Sequence, residues 1–173
     1  MRLFVTSDTH GMIQSVRNIL KNIKNIDYIV HLGDYYRDAI SLSKEFGVPT
    51  EYVYGNCDFG DGDKYEKIIE LDGKKILLTH GHRYYVKFDN NIILEKAREL
   101  GVDAVFFGHT HVPVVQNHHD VLVLNPGSPS MPREGSFRTI SIVNIENGII
   151  VPQILNIDEM GFSIEKKRSG AKN

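Results

Sequence analysis

The chain has 173 residues, 41% hydrophobic and 24% charged, with a net charge of −2. That length suits one domain burying about two-thirds of its unfolded surface, and the near-neutral charge supplies no field to recruit nucleic acid or an anionic membrane. No run reaches the ~18 apolar residues of a membrane span, MRLFVTSDTH lacks a signal-peptide pattern, and the lone Cys57 rules out an internal disulfide, so a cytoplasmic location is expected.

Residues 2–6 read as a short buried strand, followed by a Ser-Asp-Thr-His-Gly turn. Ile13, Val16, Ile19, Leu20 and Ile23 then recur at helical spacing. A strand from Tyr28 to His31 ends at Gly33-Asp34, and a helix carrying Ala39, Ile40, Leu42 and Phe46 stops at Gly47 and Pro49. Strand 51–54 runs into GNCD and a polar loop. Strands 66–71 and 74–79 form a hairpin on Asp72-Gly73, a favoured turn dipeptide. A helix near 90–100 closes at Gly101, and strand 104–107 leads into GHTH. Segments 112–115, 121–124, 139–145 and 149–155 read as strands, with His118 and His119 in an exposed hairpin turn. The pattern is βα-alternating and then β-rich. One domain is expected over 1–158, with a frayed tail at 159–173.

Chemistry collects at the ends of five apolar runs: Asp8 and His10, Asp34, Asn56 and Asp58, His80 and His82, His109 and His111. Ligands of open α/β sheets bind at the carboxyl ends of strands, so these residues converge if the strands share that edge. Glycines 11, 33, 55, 81 and 108 lie beside them, where the backbone must turn sharply. A single structural zinc takes about four ligands, typically including thiolates. Asp8, His10, Asp34, Asn56, His80, His109 and His111 exceed that demand without a thiolate, and two ions roughly 3.5–4 Å apart with a shared hydroxide use them all.

DTH at 8–10, GD at 33–34, GNCD at 55–58, HGH at 80–82 and GHTH at 108–111 resemble the calcineurin-like metallophosphoesterases. The length and NPGS at 125–128 are most similar to YfcE-type phosphodiesterases. The resemblance covers about residues 1–155 and implies a four-layer α/β/β/α sandwich of two facing mixed sheets flanked by helices. It assigns Asp8, His10 and His111 to one metal, Asn56, His80 and His109 to a second, and Asp34 to both. It implies two divalent ions, manganese first, with iron, zinc, nickel, cobalt or magnesium as alternatives. It also implies hydrolysis of a small phosphodiester by a bridging hydroxide, and allows a homodimer or homotetramer.

Many relatives read Gly-Asn-His-Asp where Cys57 stands here, that histidine protonating the leaving oxygen. A thiol near its free pKa of about 8.5 is a poor acid for an alkoxide, which makes His82 the better local substitute. Asp58 either orients a neighbour or closes an Asx turn. Blander readings exist for each residue: Asp8 as a helix N-cap, His31 as a satisfied packing residue, Arg83 and Arg133 as surface charges rather than phosphate contacts. DGDKYE at 61–66 lacks EF-hand spacing. The rival functions are a protein-binding scaffold like the retromer subunit of this fold, and a phosphomonoesterase or nuclease. The low charge and lack of a second domain disfavour the nuclease.

Overall fold

The computed structural model describes residues 1–160. The 159–173 tail expected from the sequence therefore lies outside the described residues, apart from 159–160, which belong to a helical turn at 157–160. The elements are β1 (Arg2–Thr6), α1 (Gln14–Asn22), β2 (Tyr28–His31), α2 (Tyr36–Phe46), β3 (Thr50–Tyr52), β4 (Glu66–Leu71), β5 (Lys74–Thr79), α3 (Asn91–Leu100), β6 (Ala104–Phe106), β7 (Pro113–His118), β8 (Val121–Pro126), β9 (Thr139–Glu146) and β10 (Ile149–Asn156). They build two five-stranded mixed sheets, ordered β10-β9-β1-β2-β3 and β4-β5-β6-β8-β7. In the first, β1, β2 and β3 are parallel and β9 and β10 antiparallel; in the second, β5, β6 and β8 are parallel and β4 and β7 antiparallel.

Strand alternation decides what each sheet face meets. Leu3, Val5, Val30 and Leu32 point between the sheets, where they pack with Ile76, Leu78, Phe106 and Leu124 of the second sheet. Phe4, Ile29 and Ile142 point the other way, against Val16, Ile19 and Leu20 of α1 and Leu42 of α2. Leu77, Val105, Phe107 and Val123 face Ile93, Leu94 and Ala97 of α3. With apolar residues on both faces, the central strands read as continuous hydrophobic runs, as parallel strands do. The four layers expected from the resemblance are present.

Several boundaries differ from the expectation. β3 stops at Tyr52, and the chain beyond it bonds to the following loop, with the Tyr54 amide donating to the Lys64 carbonyl at 2.8 Å. β7 runs on through His118, so the turn falls at His119-Asp120 and only His119 has a left-handed φ, +54°. Gln116 and Asn117 are exposed on an edge strand, where nothing imposes an apolar alternation for the sequence to display. A 3-10 turn, His82–Tyr84, follows β5 and is too short to show a period in the sequence. α1 begins at Gln14, so Asp8 does not cap it. Among the described residues no helix is long and apolar enough to cross a membrane.

Phe106 is fully buried between the sheets. Phe106→Ala should lower unfolding free energy by about 3–5 kcal/mol in a urea titration, the usual cost of an aromatic core truncation.

Candidate metal centre

The parallel strands deliver the predicted donors to one edge. Asp8 follows β1, Asp34 follows β2, Asn56 follows β3, His80 follows β5, and His109 and His111 follow β6. Asp8, His10, Asp34, His109 and His111 have left-handed φ values of +54°, +48°, +56°, +67° and +61°. Aspartate and histidine are enriched among non-glycine residues in that region, but each such residue still costs about 1–3 kcal/mol, so surrounding structure must hold it there. Close approach explains two glycines. A Cβ on Gly55 would sit 2.1 Å from Asp34 Oδ1, and one on Gly108 would sit 1.9 Å from Ser7 Oγ and 2.7 Å from Asp8 Oδ2.

One donor atom from each of Asp8, His10, Asp34 and His111 lies within 4.8 Å of the other three. His111 Nε2 is 3.1 Å from Asp8 Oδ1 and 3.4 Å from His10 Nε2, which is 3.7 Å from Asp34 Oδ2. Beside this group, His80 Nε2 lies 3.2 Å from Asn56 Oδ1, 3.4 Å from Asp34 Oδ1 and 3.8 Å from Asp8 Oδ1. The His109 ring is 5.0 Å from that of His80, centroid to centroid. Asp34 is common to both groups, one oxygen toward His10 and the other toward His80.

Tautomers show what these atoms need. His80 Nδ1 is 2.7 Å from the Leu32 carbonyl, and His111 Nδ1 is 2.6 Å from the Met131 carbonyl. A carbonyl only accepts, so each Nδ1 carries hydrogen and each neutral ring aims the Nε2 lone pair inward. Those lone pairs meet carboxylate and amide oxygens, which are acceptors too. Asp8 Oδ1 is buried with no hydrogen-bond partner among the described residues; its 3.1 Å approach to His111 becomes a bond only when Nε2 is protonated. Uncompensated buried acceptors are costly, so this arrangement calls for a hydrogen-bond donor or a cation at its centre. The residues fit a divalent metal.

Burial alone would raise the Asp8 carboxyl, but the His111 hydrogen bond and the His80 and His111 charges outweigh it and bring Asp8 to about 2. Burial works against the charged form of His111 as well, and there Asp8 prevails, raising its pKa. Burial pushes His109 down to about 4, with the charges of His80 and Lys87 adding to it, so its imidazole is neutral near pH 7. His82 is lowered, chiefly by burial. Its ring lies 5.5 Å from that of His80 and 5.8 Å from that of Tyr65, and its buried Nδ1 has no partner among the described residues.

A cavity of about 280 Å³ opens over the donors, lined by His10, Asp34, Asn56, Cys57, His109 and His111, with Tyr35, Met12, Met131, Lys87 and Arg133 completing its wall. Cys57 lines this wall, whereas His82 stands beside the donors, its ring 5.5 Å from that of His80 and 6.1 Å from that of His109. Cys57 is exposed overall, yet burial of its thiol, then the hydrogen bond to and charge of Asp34, push the pKa up to about 11. Arg83 lies with its guanidinium carbon 3.7 Å over the Tyr65 ring, away from this cavity.

A polar frame holds the strained loops. The Gly33 amide donates to His31 Nδ1, leaving Nε2–H to donate to Thr9 Oγ1, which donates to Asp38 Oδ2; the Gly11 amide donates to the same oxygen. His31 is thus a satisfied packing residue, as expected. Asp58 accepts from the amides of Tyr35, Tyr36 and Gly55, tying GNCD to the start of α2, so it touches backbone rather than a catalytic neighbour. Asn125 Nδ2 donates to the Gly108 carbonyl and Thr110 Oγ1, while Ser128 and Ser130 both donate to the Asp8 carbonyl. The sequence alone assigns NPGS no role and does not mark out Thr9, Asp38 or Ser130. Small polar residues beside a loop motif were their only signal.

Residues 1–148 match the calcineurin-like phosphoesterase superfamily domain. The chain is 31% identical over 166 residues to a probable metallophosphoesterase, YsnB, of Bacillus subtilis, covering 95% of each protein. It is 30% identical over 147 residues to Phosphodiesterase MJ0936 of Methanocaldococcus jannaschii, covering 73% of this chain and 83% of the relative. A crystal structure of a predicted phosphoesterase from Streptococcus pneumoniae superposes with a TM-score of 0.77 at 29% identity, over 91% of this chain and 90% of the other. The chain belongs to the calcineurin-like phosphoesterase superfamily.

Two outcomes follow from this geometry. Protonation of His111 competes with metal, so calorimetric Mn²⁺ affinity should rise with pH and level off above its raised pKa; a flat profile through the range where imidazoles titrate would contradict it. Asn125→Ala should destabilise the chain by about 1–3 kcal/mol in urea, because it strands the buried Gly127 amide that donates to Asn125 Oδ1 and removes the Nδ2 bonds to the Gly108 carbonyl and Thr110 Oγ1 that hold the GHTH loop.

Proposed function

We propose that the chain hydrolyses small phosphodiesters with two divalent ions, one held by Asp8, His10 and His111, the other by Asn56, His80 and His109, and both by Asp34. The observation that carries this reading is the convergence of inward lone pairs on two sides of Asp34, with Asp8 Oδ1 left unpartnered. Imidazoles, carboxylates and one amide suit manganese, iron, zinc, nickel or cobalt better than calcium, and we take manganese as the native choice. Bound there, the ions supply an activated water at neutral pH and offset charge on the phosphoryl oxygens.

The chain's own groups do the rest. Backbone acceptors at Leu32 and Met131 fix the His80 and His111 rings. The amides of Cys57 and His109 donate to Asp34 Oδ1 and Asp8 Oδ2, aiming both carboxylates. Cys57 holds its proton at pH 7 but releases it reluctantly, so it helps a poor leaving group little. Diesters with acidic alcohols are the substrates this favours. The diester assignment draws support from the relative named a phosphodiesterase. The absence of any cysteine besides Cys57 suits a reducing cytoplasm.

Asp34→Ala should nearly abolish turnover of an activated aryl phosphodiester with Mn²⁺. A variant that keeps near-wild-type turnover with its metals bound sinks the assignment, and a wild-type chain inert with every divalent metal favours the protein-binding scaffold. Cys57→Ala should cost less than about tenfold with a nitrophenyl leaving group, against the roughly 10²–10⁴ of a working general acid.

A further inference from the structure

Beside the cavity over the metal donors lies a second of about 310 Å³, lined by Val86, Phe107, Val112 and Val114 and by the polar Asn90, Thr110 and Glu134. The two share Lys87 and Arg133 as walls. Lys87 lies on the loop after the His82–Tyr84 turn, and Arg133 lies two residues beyond Met131, whose carbonyl fixes His111. The two cations therefore reach the shared wall from separate segments. Neither forms an ion pair with any described residue, unlike Arg17, Lys67, Lys74 and Arg138, which do.

Charge counting shows what these cations lack. Asp8 and Asp34 offset part of the charge of two divalent ions, and a phosphodiester brings one further negative charge at its reacting phosphorus. Glu134 is the single carboxylate in the second cavity, against two fixed cations on its shared wall. One uncompensated positive charge remains between the two cavities, beside an apolar surface large enough for an organic group.

We propose that the second cavity is a substrate subsite: it takes the alcohol portion of a phosphodiester that bears a second anionic group, a phosphate or carboxylate. That group lies against Lys87 and Arg133, and the carbon skeleton lies against Val86, Phe107, Val112 and Val114. Arginine pairs such an anion through a planar fork and lysine as a point charge. This rests on the hydrolase reading above and narrows its substrate class. Selectivity then comes from the shared wall, because the metal donors themselves meet only the reacting phosphate.

A matched pair of 4-nitrophenyl diesters tests it, one with a 3-phosphopropyl group and one with a 3-methoxypropyl group as the other substituent. Wild-type protein with Mn²⁺ should favour the phosphate-bearing diester by about tenfold or more in kcat/KM, mainly through KM, as expected for charged hydrogen bonds. In the Lys87→Gln/Arg133→Gln variant that preference should collapse toward unity. Equal use of both diesters by the wild type, or a preference that survives in the variant, overturns the subsite. Calorimetric binding of the two diesters separates this from the hydrolase reading. If neither diester turns over, tighter binding of the phosphate-bearing one that the double variant loses upholds the subsite while hydrolysis fails. Equal binding of both overturns the subsite.

Discussion

Buried lone pairs that face one another are the constraint on which this structure depends. Asp8 Oδ1, Asp34 and the Nε2 atoms of His80 and His111 point inward, and the carbonyls of Leu32 and Met131 hold the two rings in that tautomer. Left alone, such a group repels itself, and a fold dominated by apolar burial would turn these side chains outward. They are held in place by the strands, the left-handed turns and the frame of Asn125, Ser128, Asp38 and Asp58. The site is preorganised at the expense of stability, and a bound cation returns that stability.

The fold serves this constraint. Two sheets packed through Leu3, Val5, Leu78 and Phe106 place the ends of β1, β2, β5 and β6 at a common edge, so donors far apart in sequence meet without long loops. His111 and Asp8 are 103 positions apart, and their facing atoms are separated by 3.1 Å. Rigid strands fix where each loop begins, and glycine at 55 and 108 lets the backbone pass against the carboxylates where a methyl group could not.

Much of this was legible in the sequence, for identifiable reasons. Buried parallel strands announce themselves as apolar runs, and metal-type donors beside glycine mark their ends. The edge strand β7 reads short in the sequence because its solvent side carries no apolar period to follow. The roles of Asn125, Ser128, Thr9 and Asp38 were hidden because their partners are backbone groups distant in sequence. A residue type does not reveal which carbonyl it will brace. The cavity walled by Lys87 and Arg133 belongs to the same category: two unremarkable surface cations gain meaning only from sharing a wall.

On the proposed reading, the two donor groups around Asp34 are both cation sites. Elemental analysis of the chain after loading with Mn²⁺ and exhaustive dialysis tests this most directly. Two ions per chain is the predicted result, and one ion or none would contradict the account.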